Sequence, residues 1–302
     1  MASNKENAAA SIHRRLLNGA KERGEDFQLT LVRYGSERLL YRLAQSFADR
    51  FVLKGALLLL LWEDQLYRPT RDIDLEGFGS TDPEHLATVF RAVCDQPCPE
   101  DALRFDADSV NATEIRTAQE YGGVRVTMTC FLGKARISLQ VDIGFGDAIT
   151  PAPTVRPFPT LLDLPAPNLR TYPLETVVAE KFEAMARLGL GNSRMKDFRD
   201  LLTLASRQDF DGAVLATAVR ATFANREARG EDVDAVLTDE FFADSVLQTR
   251  WHAYRRSQPR ADDLPESLAE VGATILPFLA KLGAALRGTD LRLHWTAGHG
   301  WK

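Results

Sequence analysis

Apolar residues recur at helical spacing through residues 11–23, where Ile12, Leu16, Leu17 and Ala20 form one stripe, and through residues 29–48, where Leu39, Leu40, Leu43 and Phe47 form another. Stripes of that period with Arg and Glu opposite them predict two amphipathic helices. Phe51-Val52-Leu53 then reads as a short buried strand, Lys54-Gly55 as a turn, and residues 56–62 as a short buried helix. Arg68-Pro69-Thr70 imposes an extended approach, because the residue before a proline avoids the helical region. The following Arg71-Asp72-Ile73-Asp74-Leu75 alternates with period two, which predicts a strand with two unlike faces. Asp82-Pro83-Glu84 opens a helix that runs to about Cys94, with Asp82 as its N-cap and Pro83 in its first turn.

Residues 102–146 read as mostly β. Val124, Val126, Met128 and Cys130 share one face, Ile137, Leu139, Val141 and Ile143 another, and Gly133-Lys134 makes the hairpin turn between them. Seven of the fourteen prolines fall between Pro151 and Pro173, which marks a connector. Beyond it the spacing is helical over 174–188, 195–206, 212–228, 239–255 and 264–287. The expected organisation is α+β: residues 1–150 as a mixed sheet with N-terminal helices, 151–173 as the Pro-rich connector, and 174–302 as an all-helical domain.

Composition narrows the class. The 302 residues, 45% apolar and 26% charged, are those of a globular chain. The apolar run at 56–62 is far short of the roughly 20 residues a bilayer needs, and Lys5 is followed by no apolar signal segment, so a cytoplasmic protein without membrane partners is expected. Three cysteines in no metal-site spacing fit a reducing compartment. A net charge of -5 argues against binding nucleic acid through a bulk positive field, though not through a local patch. His13, His85, His294 and His299 have no catalytic or metal spacing.

The sharpest chemical feature is Asp72 and Asp74. On a strand their side chains share one face while Ile73 and Leu75 take the other. Two carboxylates about 4 Å apart repel by roughly 4 kcal/mol at an effective dielectric near 20, so the pair calls for water or a cation. Hard oxygen ligands suit Mg²⁺, with Mn²⁺ able to replace it. Alone, Asp-x-Asp is a weak sign, found on solvated strands, in caps and in metal-dependent glycosyltransferases. Asp142, opposite the apolar set of its own strand, would complete a two-metal clamp if that strand lies beside the first, with ions about 3.5–4 Å apart. Lys54-Gly55, at a strand-to-helix turn, could present backbone N–H groups to a phosphate. Lys181 is either a snorkelling side chain or a substrate contact. Asp197 and Asp200, three apart behind Lys196, either complement a helix dipole or form a polar cluster facing a nucleotide. Trp251, His252, Tyr254, Arg255 and Arg256 interleave as an RNA-stacking surface would, or pack as a helix end.

Taken together, Arg38-Leu39-Leu40-Tyr41-Arg42-Leu43, Phe51-Val52-Leu53-Lys54-Gly55-Ala56, Arg68-Pro69-Thr70-Arg71-Asp72-Ile73-Asp74-Leu75, Tyr172-Pro173-Leu174-Glu175 with Ala179-Glu180-Lys181, and Met195-Lys196-Asp197-Phe198-Arg199-Asp200-Leu201 resemble the AbiEii/AbiGii-type nucleotidyltransferase toxin family over residues 10–205. The resemblance implies a polymerase-β-like nucleotidyltransferase sheet flanked by helices and followed by a helical domain. It implies that Asp72, Asp74 and Asp142 hold the metal, that Lys181 serves the triphosphate, and that Lys54, Gly55, Ala56, Arg71, Lys196, Asp197 and Asp200 belong to the nucleotide-binding set. It further implies an NTP substrate, a tRNA or other RNA acceptor, and an AbiEi-like antitoxin encoded nearby. Gly55-Ala56 departs from the Gly-Ser or Gly-Gly of many nucleotidyltransferases, so no hydroxyl is offered there. The alternatives are transfer onto a protein hydroxyl, and a non-catalytic nucleotide- or RNA-binding regulator.

Overall fold

The computed structural model describes residues 2–62, 70–115, 122–228, 230–258 and 260–302. The chain divides into two compact units, residues 1–146 with 153–172, and residues 147–152 with 173–302.

The first unit begins with helices α1 (Ala2–Arg23) and α2 (Phe27–Ser46), the second started by Asp26, whose carboxylate accepts from the Leu29 N–H. Strand β1 (Phe51–Lys54) leads into the short helix α3 (Gly55–Leu58), followed by β2 (Asp72–Gly77) and helix α4 (Pro83–Cys94). Asp82 caps α4 through the His85 N–H, as the Asp-Pro pair predicts. The long strands β3 (Leu103–Ile115), β4 (Gly123–Leu132) and β5 (Ala135–Phe145) form an antiparallel meander. With β6 (Thr154–Pro157) and β7 (Asn168–Thr171) they make a sheet of order β3-β4-β5-β2-β1-β7-β6 among the described residues. It is mixed: β2 runs parallel to β5 and antiparallel to β1, while β7 runs parallel to β1.

Two features of this unit correct the sequence reading. The stretch expected as a connector supplies β6 and β7, and the prolines permit it because β6 is an edge strand whose exposed side needs no ladder donor. Residues 147–152 instead join the helical unit: Arg226 donates to Asp147 at 3.0 Å, and Thr176 bonds both the amide and the carbonyl of Thr150. The Arg68-Pro69 approach to β2 lies outside the described residues.

Alternation divides the sheet cleanly. Ile73, Leu75, Val126, Met128, Cys130, Leu139, Val141 and Ile143 are all buried, and α2 covers part of that face by laying Gly35 against Leu139, Cys130 and Ile137. Arg42 of α2 forms a buried ion pair with Asp101, and Tyr34 donates to the Asp101 carbonyl at 2.9 Å. The Arg38–Leu43 block of the resemblance is therefore core architecture rather than substrate-facing.

The second unit comprises α5 (Leu174–Leu188), α6 (Met195–Arg207), strand β8 (Phe210–Asp211), α7 (Gly212–Asn225), α8 (Gly230–Val236), α9 (Asp239–Ala243), α10 (Ser245–Arg256), α11 (Leu268–Leu286), and strands β9 (His294–Thr296) and β10 (Gly300–Trp301). The helix expected over 239–255 is broken at Asp244, which leaves helical geometry to accept from the Val246 and Leu247 N–H groups. Trp251, a candidate RNA-stacking ring, is fully buried and donates its indole N–H to the Pro265 carbonyl at 3.0 Å. Helix α11 is long and apolar enough to cross a membrane by composition, yet Val271, Ile275, Phe278, Leu279 and Leu282 are wholly buried in the helical core. The small β8–β9–β10 sheet, which the sequence reading did not contain, packs Trp295 and Trp301 against Phe278.

Candidate active site

Strand register, rather than proximity along the chain, assembles the site. Asp74 of β2 lies directly opposite Asp142 of β5, and Asp72 lies opposite Gln140. Residues paired in register on neighbouring strands project to the same face, so all three carboxylates share the polar face of the sheet. Lys54 of β1 is the partner of Asp74 on its other side, and Arg125 of β4 is the partner of Asp142. One rung across four strands therefore reads Lys54, Asp74, Asp142, Arg125: cation, anion, anion, cation.

Lys54, Asp142 and Arg125 have defined partners. The Arg125 guanidinium grips Asp142 with two hydrogen bonds, Nε to Oδ1 and Nη2 to Oδ2, both 2.8 Å. Gln140 adds a longer contact to Oδ2 at 3.4 Å. The hydrogen bond to Asp142 is the main influence raising the Arg125 pKa, partly offset by desolvation, and the charges of Asp142, Asp72 and Asp74 raise it further. Lys54 donates to Glu76 at 2.7 Å and lies over the Tyr172 ring. Glu76 sits on the same face as Asp72 and Asp74, is almost wholly buried, and was not picked out from sequence. Gly144 makes room for this pair, since a Cβ there would come within 2.7 Å of Lys54 Nζ.

Gly55 is needed for two reasons. Its φ of +73° suits only glycine, and a Cβ would overlap the Asp74 carboxylate. The turn thus brings the backbone against the acidic side chain. Ala56 is buried behind it, so a hydroxyl is absent at that place. Arg71 and Asp72 also line a cavity of about 770 Å³ in the same unit, with Ser109, Thr127, Arg136 and Ser138.

The second expected group forms inside the helical unit. Lys181 donates to Asp197 at 2.8 Å and Asp200 at 2.7 Å, while Arg194 reaches the other oxygen of Asp197 at 2.7 Å. Burial pushes the Asp197 pKa up, but Lys181 and Arg194 outweigh it and leave the carboxyl below its ordinary range. Lys196, between them in sequence, is exposed.

The donor chemistry of the first site fits a divalent cation. Across β1, β2, β5 and β4 the three rungs around Asp74 carry Asp72, Asp74, Glu76 and Asp142 against Lys54 and Arg125, an excess of two negative charges. Among the described residues no three His, Cys, Asp or Glu side chains stand ready to hold an ion together, and Asp142 has both oxygens turned to Arg125. Asp72, Asp74 and Asp142 carry oxygen donors of the kind such an ion takes, with those of Asp142 bonded to Arg125. Arg125 escaped the sequence reading although the signal was present: it and Asp142 lie eight residues out from the Gly133-Lys134 turn on either arm.

Comparison with known proteins bears on the chemistry. A profile described as Nucleotidyl transferase AbiEii toxin, Type IV TA system, matches residues 38–273. No curated protein sequence matches the chain. Two solved structures align: one assigned to a nucleotidyltransferase from H. pylori (14% identity, 83% of this chain and 92% of that one, TM-score 0.45) and JHP933 from Helicobacter pylori (14% identity, 83% and 89%, TM-score 0.46). With the matched profile spanning most of its length, the chain belongs to the AbiEii nucleotidyltransferase toxin family of type IV toxin–antitoxin systems.

Proposed function

We propose that the protein transfers a nucleoside monophosphate from an NTP to the 3′-hydroxyl of an RNA, with tRNA as the acceptor that would block translation, and that a neighbouring antitoxin restrains it. The observation that carries this reading is the in-register placement of Asp74 against Asp142 with Asp72 on the same face. Such a placement is electrostatically unfavourable on its own; Arg125 offsets part of it, and a divalent cation bound with the NTP would offset the rest.

In the reaction the 3′-oxygen bonds to the α-phosphorus, the bond to the bridging oxygen breaks, and pyrophosphate leaves. Bound Mg²⁺ or Mn²⁺ would supply charge neutralisation at the triphosphate and acidify the attacking hydroxyl. Asp72 and Asp74 are the side chains that would hold it. Asp142, one strand over, would join them as the third ligand once Arg125 releases it, and would there assist deprotonation of the attacking hydroxyl. Fixed donors and carboxylates need no reorganisation as charge moves, which is where most of the acceleration in phosphoryl transfer arises.

The cavity beside Asp72 suits an RNA end. Arg71 and Arg136 offer charge to phosphates, Ser109, Thr127 and Ser138 offer hydroxyls to sugar oxygens, and no aromatic side chain lines it among the described residues. Those polar groups suit contacts to the backbone, and Leu31, Val32, Met128, Ile137 and Leu139 form an apolar side of the same cavity. The role that the resemblance gives Lys181, Asp197 and Asp200 requires a folding control in any test, because that lysine is already shared by two buried carboxylates.

Incubation of the protein with total tRNA and each α-labelled NTP in Mg²⁺ or Mn²⁺ buffer should label RNA with at least one nucleotide. Absence of label with all four, indistinguishable from Asp74→Ala, removes the reading. Added nucleotide mass on protein with none on RNA moves the acceptor to a protein hydroxyl.

A further inference from the structure

We propose that Arg125 is a built-in competitor for the divalent cation: it holds the Asp142 carboxylate by both oxygens, and metal capture requires that grip to open. The inference rests on the metal-dependent reading above and names what controls access to that site. Four observations support it.

The contact is bidentate and charge-assisted, two parallel N–H···O bonds of 2.8 Å, the geometry in which arginine binds a carboxylate most strongly. Arginine is always protonated and cannot withdraw by losing its charge, so the pair opens only by side-chain rotation. Rotation is available, because Arg125 is 43% exposed and Asp142 23%. Lastly, Arg125 occupies the rung next to the anion pair, and the charges of Asp72 and Asp74 as well as Asp142 act on it. It partly satisfies the same excess negative charge that a metal ion would.

An arginine that only pinned β4 to β5 would have no such relation to the metal. A resident cation that must be displaced makes a specific prediction: its removal tightens metal binding, and it does so through Asp142. A general loss of positive charge would also tighten binding, but would do so whether or not Asp142 could ligate. The two are separated by a double-mutant cycle.

The experiment measures Mn²⁺ affinity of the full chain by electron paramagnetic resonance titration, without NTP or RNA, on wild type, Arg125→Gln, Asp142→Asn and the double variant, with circular dichroism as the folding control. Arg125→Gln is expected to lower the Mn²⁺ Kd by up to roughly fivefold, equivalent to about 1 kcal/mol, the most that a half-exposed pair can withhold. Asp142→Asn should raise it, and Arg125→Gln on top of Asp142→Asn should change it by less than about twofold. Arg125→Lys, which keeps the charge but cannot bond both oxygens, should fall between wild type and Arg125→Gln and serves if the glutamine variant folds poorly. An unchanged or weaker affinity in a folded Arg125→Gln overturns the proposal, as does equal tightening with and without Asp142. If wild type and Arg125→Gln bind no Mn²⁺ at all, the metal-dependent reading falls along with it. Binding with equal Kd in both overturns the role of Arg125 and leaves that reading standing.

Discussion

The two units each hold a cluster of two aspartates and two basic side chains, and they arrange the same charges in different order. In the helical unit the order alternates: Asp200, Lys181, Asp197, Arg194, every anion touching a cation at 2.7–2.8 Å. On the sheet the order is Lys54, Asp74, Asp142, Arg125, with the two anions adjacent and the cations outside. Alternation neutralises the cluster and allows it to be buried, with Asp197 and Asp200 at 2% and 3% exposure. Adjacent anions leave charge for something else to neutralise, and that rung is correspondingly only half-buried. Sequence order conveys neither arrangement. A lysine near two aspartates suggests a substrate site as readily as Asp-x-Asp does, and in the structure Lys181 also joins two buried carboxylates.

The largest effect expected from this contrast is on activity. Asp74→Asn should reduce nucleotide incorporation by at least about 10²–10³-fold, the scale of losing one fixed electrostatic contributor. Its melting temperature should fall far less than its activity, since asparagine keeps the shape of the side chain and the substitution relieves repulsion with Asp142. A parallel fall in stability and activity would show the rung to be structural. Lys181→Met should behave in the opposite sense. It leaves two carboxylates buried without their shared cation and should cost about 3 kcal/mol or more in denaturant unfolding. The pH dependence follows from Asp197, whose folded pKa lies below its ordinary 3.8. A depressed carboxyl contributes stability that is complete above the unfolded value and lost as pH falls through the folded one. Lys181→Met removes the foremost of the two charges that depress it, so acid unfolding should begin at a higher pH than in wild type.

Gly55→Ala sharpens the contrast at the level of the backbone. A positive φ at a residue with a side chain costs of order 1–3 kcal/mol, and here the new Cβ must also displace the Asp74 carboxylate. A drop of that size in unfolding free energy, together with weakened Mn²⁺ binding, is expected. Loss of stability with Mn²⁺ affinity intact would mean that Asp74 can leave the turn without consequence for the site.

What could be read beforehand follows from how local each signal is. Caps, turns and alternation act within a few residues, so α4, α5, the β4–β5 hairpin and the two-faced β2 strand were legible from residues such as Asp82, Gly133 and Ile73. The shared face of Asp72 and Asp74 was legible for the same reason. That Asp142 would lie against Asp74 depended on β2 pairing parallel with β5, a long-range choice that no local pattern fixes. The proline-rich stretch misled because prolines exclude central strands but not edges: Pro157 lies in the edge strand β6, and β7 fits between the remaining prolines with none of its own. Trp251 stayed open between two readings because an aromatic beside arginines has the same sequence whether it faces RNA or a core, and burial decides for the core. Arg125 differs again: the Gly133-Lys134 hairpin register already sets it opposite Asp142, but a lone arginine on a polar strand face carries no chemical signal by itself.

The smallest expected effect is also the one that best separates the two clusters. Arg125→Gln should alter unfolding free energy by less than about 1 kcal/mol, because a cross-strand ion pair with a side chain 43% exposed is screened by water and contributes little. Glutamine can retain one hydrogen bond to Asp142, which reduces the loss further. Lys181→Met and Arg125→Gln each remove one positive charge from a cluster of two aspartates, so equal destabilisation would mean that charge order has no bearing on stability. A difference of 2 kcal/mol or more, with Lys181→Met the less stable, is what burial requires. Repeating both measurements in 0.5 M NaCl sharpens the distinction. The small effect at Arg125 should shrink, since exposed charges are screened over about a Debye length. The effect at Lys181 should persist, since solvent ions have little access to carboxylates almost fully removed from water.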